Sequence, residues 1–251
     1  MTEPLRVLTA NLLDDRADAD ALARTVEERR IDVLCVQELG ARLAGAIAEV
    51  LPHGRLAPDR VRRGLGIACR REARVESIAL PYRDGLAARL RPDAWSQLPE
   101  TAEIACVHIR GPHTWPYFPA QAVRRGQMRG LLAHLDREPH LPRAVLGDFN
   151  ASPLWPVYRR MARRLADAAR PRPRPTWPHL PALGLRGLLR IDHCFVSGLQ
   201  ARLTRVVPLE GSDHLGLYVE LVAQHAGTRT PRPGDPEAGR RRRGLRDGRR
   251  S

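Results

Sequence analysis

The chain has 251 residues, 43% of them apolar and 4% aromatic, and its 42 basic residues outnumber 28 acidic ones for a net charge of +14. Length and apolar content support one large α/β domain, or two small ones, with a substantial core, while the scarcity of aromatic residues argues against a nucleic-acid surface built mainly on base stacking. All the basic residues are arginines, which points to a general coding bias; even so, the charge favours polyanionic partners.

The first strand pattern is LRVLTAN, residues 5–11, followed by a helical face in ADADALARTVEERR, residues 17–30. IDVLCVQE, residues 31–38, is an apolar run of strand length of the kind expected when both faces of a sheet are covered. A second helix is predicted at ARLAGAIAEVL, residues 41–51, and then strand candidates at GLGIACR, RVESIALP, AARLR and EIACVHIR, several joined by short polar connections that suggest antiparallel pairing. A helical period returns from about Ala120 to Leu135 and leads into the strand RAVLGDF, residues 143–149. The stretch PLWPVYRRMARRLADAA, residues 153–169, reads as a helix entered through proline.

The segment RPRPRPTWPHLP, residues 170–181, reads as a surface loop near an active face, because proline removes backbone donors and biases the preceding residue away from helix. Final strands are expected at LRIDHCFVS, ARLTRVVPL and LGLYVELVA. The division is therefore a folded domain over residues 1–222 and a tail over 223–251, where nine arginines stand against Asp235, Glu237 and Asp247 with too little apolar material to fold.

Cys35, Cys69, Cys106 and Cys194 each sit inside an apolar run with no close spacing to another, which predicts buried thiols and neither a zinc site nor a disulfide framework. No segment approaches 18 uninterrupted apolar residues, so no stable membrane insertion is expected. The N-terminus lacks a signal-peptide pattern, and the expectation is a reducing, cytoplasmic setting and a monomer.

Polar residues recur where the strand runs end: Asn11, Glu38, His108, Asp148, Asn150, Asp192, and the pair Asp213 and His214. Strand ends give rigid placement beside accessible loops. In LGDFN, the period of two along a strand predicts Asp148 and Asn150 on one side and Phe149 on the other. By the same rule His193 lies opposite Asp192 and reads as packing. Arg125 and Arg190 are candidates for phosphate contacts among many arginines.

The ordered motifs TANL, VQE, VHI, LGDFN, RIDHCFVS and GSDH over residues 5–222 resemble the endonuclease/exonuclease/phosphatase superfamily of metal-dependent phosphoesterases. The resemblance implies a four-layer α/β sandwich, two packed mixed β-sheets flanked by helices, of the DNase-like kind. It also implies a divalent cation, magnesium with manganese as an alternative, held by Glu38 with Asn11 in support and Asp213 as a further ligand. Asp148 would position or deprotonate the attacking water, Asn150 and His108 would donate to phosphate oxygens, and Asp213 would orient His214, with Asp192 on the metal or on that pair.

The substrate implied is a phosphate ester, DNA or RNA being favoured by the basic charge. Lipid headgroups or small phosphoesters are the alternative substrates, and a non-catalytic nucleic-acid-binding protein on the same scaffold is the alternative function. The chain departs from the abasic-site nucleases, which usually carry Asn-x-Asp at the first strand, because Asn11 is followed by Leu12, Leu13 and only then Asp14.

Overall fold

A computed structural model describes residues 3–112, 117–170 and 173–224. From residue 225 on, the tail expected to be unfolded lies outside the described residues.

The chain order is β1 (Leu5–Asn11), α1 (Ala19–Glu28), β2 (Val33–Gln37), α2 (Ala41–Val50), β3 (His53–Ala57), β4 (Leu65–Cys69), β5 (Arg74–Ile78), β6 (Gly85–Leu90), β7 (Ala102–His108), α3 (Tyr117–Arg137), β8 (Arg143–Asp148) and α4 (Pro156–Ala162). It continues with β9 (Ala166–Asp167), β10 (Trp177–Leu180), β11 (Leu185–Leu189), β12 (Asp192–Ser197), β13 (Leu199–Pro208) and β14 (Leu215–Ala223). Two six-stranded sheets result, ordered β13-β14-β1-β2-β4-β3 and β5-β6-β7-β8-β12-β9. In each, one parallel pair, β1 with β2 or β7 with β8, sits among antiparallel neighbours. The sheets are mixed, as expected.

Strand alternation sorts the core into three layers of side chains. Leu5 and Val7 of β1, Val33 and Cys35 of β2, Ile104 and Cys106 of β7, and Ala144 and Leu146 of β8 meet between the sheets. The intervening residues Leu8, Leu34 and Val36 pack under α1 and α2 through Leu22, Val26, Leu43 and Ile47. On the far side, Val145, Phe149 and Phe195 pack against α3 and α4 through Met128, Leu131, Val157 and Met161. These are the four layers of an α/β sandwich, and all four cysteines are buried as free thiols within it. No helix among the described residues is long and apolar enough to cross a membrane.

Two sequence expectations are corrected, and one strand has no counterpart among them. The helix expected over 153–169 stops at Ala162, because Arg163 and Leu165 leave the helix and Ala166–Asp167 pairs as β9 on β12. The proline-rich segment is not wholly irregular: Trp177–Leu180 pairs with β11 in a two-stranded ribbon whose register shifts at Pro178. Strand β3, exposed along most of its length, carries no apolar alternation to announce it.

Two buried ionisable groups tie the outer helices to the second sheet. Glu103 of β7, fully buried, accepts from His134 of α3 at 3.0 Å and faces Arg143 and Arg89 at 3.4 Å each. His193 of β12 points away from Asp192 into the α4 side, where Nε2–H donates to the Ala151 carbonyl at 2.7 Å and the ring packs 4.9 Å from the Tyr158 ring. It is packing, as its strand face predicts.

Burial, with Arg190 nearby, pushes the His193 pKa down from 6.5 to about 4. A group whose folded pKa lies below its unfolded value takes up protons preferentially on unfolding, so the associated stability is full above about pH 6.5 and is lost as pH falls toward 4. The loss is at most about 3 kcal/mol. Thermal denaturation between pH 7 and pH 4 is expected to show Tm falling through that window, with a shallower fall in His193→Gln; an unchanged slope in the variant would assign the acid sensitivity to other groups.

Candidate active site

The inner residues of four strands converge at one mouth of the sandwich. Along β1 the inward series Leu5, Val7, Thr9 ends in Asn11; along β7 it ends in His108, and along β8 in Asp148. Asp192 opens β12 directly across from Asp148 in the antiparallel register. Just beneath, Thr9 and Gln37 share a side-chain hydrogen bond at 3.1 Å and Gln37 Nε2 reaches Cys106 Sγ at 3.2 Å, so the apolar interior turns polar one layer before the mouth. Asn11, His108, Asp148 and Asp192 are each no more than 4% exposed.

Asp148 is the hub. Its Oδ2 accepts from Asn11 Nδ2 at 3.2 Å, which joins the two sheets, and from Asn150 Nδ2 at 3.0 Å, while Oδ1 accepts from the Asn150 backbone N–H at 2.8 Å. Gly147 makes this placement possible: with φ at +141°, a Cβ there would lie 1.9 Å from the Val107 carbonyl oxygen.

The expected pairing of Asp148 and Asn150 on one strand face is corrected. The strand ends at Asp148, and Asn150 curls back through a left-handed turn, φ +46°, of the kind that Asn tolerates best. Its two Nδ2 hydrogens go to Asp148 and to the Ile109 carbonyl at 3.0 Å, so the amide orients Asp148 and has no donor left to offer outward. Phe149 does face away, edge-on to Phe195 at 5.2 Å between ring centroids.

Burial and the neighbouring Asp192 push the Asp148 carboxyl up from 3.8 to about 7, against the pull of His214, the Asn150 N–H and the Asn11 amide. His108 stands 3.4 Å from Asp148 Oδ2 through Nε2, while its Nδ1 meets the Arg83 guanidinium. An Arg beside Nδ1 makes that nitrogen the acceptor, so the proton sits on Nε2 and points at Asp148. Burial, then Arg83 and His214, hold the His108 pKa well below 6.5, and the ring is neutral.

Glu38 follows the last residue of β2 and would face the helices by simple alternation. A left-handed turn, φ +54°, redirects it, at a cost on the order of 1 kcal/mol. Its carboxyl is pushed up by burial and pulled down by Arg62, the Asn11 amide, His214 and Arg83, which places it beside the same cluster. Its Oε2 is buried without a hydrogen-bond partner, and so is Asp213 Oδ1.

His214 precedes β14 and is held by Ser212, whose hydroxyl accepts from the His214 N–H at 3.1 Å and donates to the Asn11 carbonyl at 2.7 Å. The residue that orients its ring is Asp192, at 3.0 Å from Nδ1 to Oδ2, and not Asp213, which corrects the sequence expectation. Asp213, in the bend that precedes β14, turns to accept from Trp177 Nε1 at 2.9 Å. Burial alone would lower the His214 pKa; the charge and hydrogen bond of Asp192, with Asp148 and Asp213, carry it instead to about 10. One ligand atom each from Asp148, Asp192 and His214 lies within 4.8 Å of the others.

The structure also shows residues that sequence reasoning missed. Thr176, fully buried in the proline-rich segment, accepts through Oγ1 from the Ile191 and Asp192 N–H groups at 3.1 and 3.2 Å, and its carbonyl accepts from Leu215 N–H at 2.8 Å, clamping Asp192 and His214 together. Arg83 carried no distinguishing signal among 42 arginines. Arg190 is spent on Asp167 at 2.6 Å, a buried pair. Arg125 lines a groove between α3 and α4.

The sequence model of the Endonuclease/Exonuclease/phosphatase family matches residues 7–214. Among solved structures, an endonuclease/exonuclease/phosphatase from Beutenbergia cavernae DSM 12333 superposes with TM-score 0.69 at 20% identity, over 89% of this chain and 72% of its own. The human Nocturnin catalytic domain with bound sulfate gives TM-score 0.67 at 20% identity, covering 89% and 96%. TDP2 of D. rerio complexed with a single-strand DNA product gives 0.65 at 17%, covering 86% and 98%. No curated protein matches the sequence.

Proposed function

The chain belongs to the endonuclease/exonuclease/phosphatase family, whose members are phosphoric ester hydrolases, and from that premise we propose that it hydrolyses a phosphodiester by direct attack of water, with nucleic acid as the favoured substrate. The observation that carries the reading is the single mouth where Asn11, His108, Asp148, Asp192 and His214 meet, with Asn11 joining the two sheets through its bond to Asp148.

The donor set fits a hard divalent cation. Glu38 Oε2, beside the Asn11 amide and 4.0 Å from Arg62, and Asp213 Oδ1 are buried oxygens without hydrogen-bond partners, and magnesium or manganese takes oxygen ligands of this kind. Glu38, with Asn11 and Asp213, would hold it, and when bound it would neutralise charge on the phosphoryl group.

The remaining work falls to side chains. Asp148, its orientation fixed by Asn11 and Asn150, receives the proton of the attacking water. His108 is neutral, with its Nε2–H available to a phosphate oxygen at the expense of its long contact to Asp148. His214, cationic through Asp192, faces the oxygen where negative charge grows. Asp192 itself is a positioning residue. The five charged or polar groups are retained together and buried, at an evident desolvation cost, which a purely binding scaffold has no need to bear.

Nucleic acid is favoured by the basic charge of the chain, including the arginine-rich tail. Hydrolysis of single-stranded DNA, RNA and a chromogenic phosphodiester is to be followed as salt rises from 50 to 200 mM. Turnover of the polymers is expected to drop by roughly 10-fold or more while the small ester changes little. Parallel loss on all three substrates would remove nucleic acid as the favoured class.

A further inference from the structure

Beside the mouth, an open cleft of about 280 Å³ is walled by Arg55, Asp59, Arg63, Tyr82, Arg83 and Asp84. Tyr82 lines it. The residue is 41% exposed and held at φ +75°, and three guanidinium carbons lie around its ring: Arg83 and Arg63 of the cleft wall at 5.0 Å and 5.6 Å from the centroid, and Arg110, outside the lining, at 4.6 Å.

The ring faces attract cations, but three guanidiniums around one ring also repel one another. The two carboxylates of the wall are directed to backbone, Asp59 accepting from the Val61 N–H at 2.7 Å and Asp84 from the Leu80 N–H at 3.4 Å, and neither forms a close ion pair with these arginines among the described residues. The Nε atoms of Arg83 and Arg110 are buried with no hydrogen-bond partner. Two donors without acceptors, inside a cluster of like charge, describe a place shaped for an anion.

Its position relative to the reaction is fixed by Arg83, which touches His108 Nδ1 on one side and Tyr82 on the other. One imidazole therefore separates the cleft from Asp148. A phosphate seated among these arginines is distinct from the scissile one and adjacent to it.

We propose that Arg63, Arg83 and Arg110, arrayed on Tyr82, bind a second phosphate of the substrate next to the phosphate being hydrolysed. This rests on the hydrolase reading and narrows it to substrates with at least two neighbouring phosphates. Such phosphates come either from the next nucleotide of a strand or from a bisphosphorylated small molecule.

The test compares kcat/KM within two pairs: thymidine dinucleotide against trinucleotide, and fructose 6-phosphate against fructose 1,6-bisphosphate. The member with the extra phosphate is expected to be favoured by roughly 10- to 100-fold in one pair, which identifies the source. Arg63→Gln/Arg110→Gln is expected to reduce that ratio to about 3-fold or less, with the circular dichroism spectrum of the folded chain retained. A wild type indifferent to the extra phosphate in both pairs, or a variant that keeps the preference, overturns the proposal.

Should no probe be turned over, the hydrolase reading falls. Fluorescence anisotropy with a labelled trinucleotide then decides the subsite independently. Weaker binding by the double variant supports it; equal binding by both proteins overturns it. Arg63→Gln alone, at an exposed position, gives the same comparison should the double variant fail to fold.

Discussion

Asp148→Asn is expected to lower kcat/KM for a phosphodiester by roughly 10³-fold or more, within the range that a positioned general base supplies. The substitution keeps the volume of the side chain but removes the group able to take a proton from water. It also places an amide N–H₂ against the donors that now converge on the carboxylate, from Asn11 and from the backbone and side chain of Asn150. The loss should appear in kcat, because the donors for phosphate remain in place. Two measurements separate chemistry from folding: steady-state kinetics at saturating substrate, and thermal denaturation. A Tm lowered by a few degrees with kcat nearly abolished is the expected pair, whereas a variant with kcat within tenfold of the parent would take Asp148 out of the reaction.

The second large effect concerns the His214 and Asp192 pair. His214→Ala is expected to cost roughly 10²- to 10³-fold in kcat, the size associated with removing one group that stabilises developing negative charge. Asp192→Asn leaves the ring in place but presents an amide to Nδ1, where the carboxylate now accepts at 3.0 Å. The imidazolium loses the largest of the counter-charges that hold its pKa near 10, and burial works to neutralise it against only the weaker pull of Asp148 and Asp213. A loss approaching that of His214→Ala is therefore expected. Because both residues act as one unit, the double variant should be no worse than His214→Ala alone. Additive losses would mean that Asp192 acts separately from His214.

Where strands carried the signal, the sequence grouped the polar strand ends that the fold brings together. Asn11, His108, Asp148 and Asp192 all terminate inward-facing series, so period-two alternation together with motif order was enough to place them at one end of the sandwich. Glu38 and Asn150 reach the same mouth by a route that alternation cannot describe, since each depends on a left-handed turn just past a strand end. The partner of His214 was misassigned because adjacency along the chain was read as adjacency in space; Asp213 faces Trp177, and the true neighbour comes from β12.

Contributions from segments without periodicity were invisible. Thr176 sits among prolines and nothing about its neighbours marks it as the clamp between β12 and β14. Arg83 is one arginine among 42, in a loop between β5 and β6, and only the fold brings it to His108. The short strand β9 was lost inside an apolar helical period, where pairing with β12 overrides local preference.

The account turns on one mouth serving both a divalent cation and a phosphoryl group. The most direct measurement is hydrolysis of a phosphodiester by the purified chain with magnesium or manganese, after EDTA, and in Glu38→Gln. Turnover that stops with EDTA, returns with added metal, and in Glu38→Gln requires at least tenfold more metal for half-maximal rate is the predicted result. Full turnover in EDTA, or a metal requirement unchanged in Glu38→Gln, would contradict it.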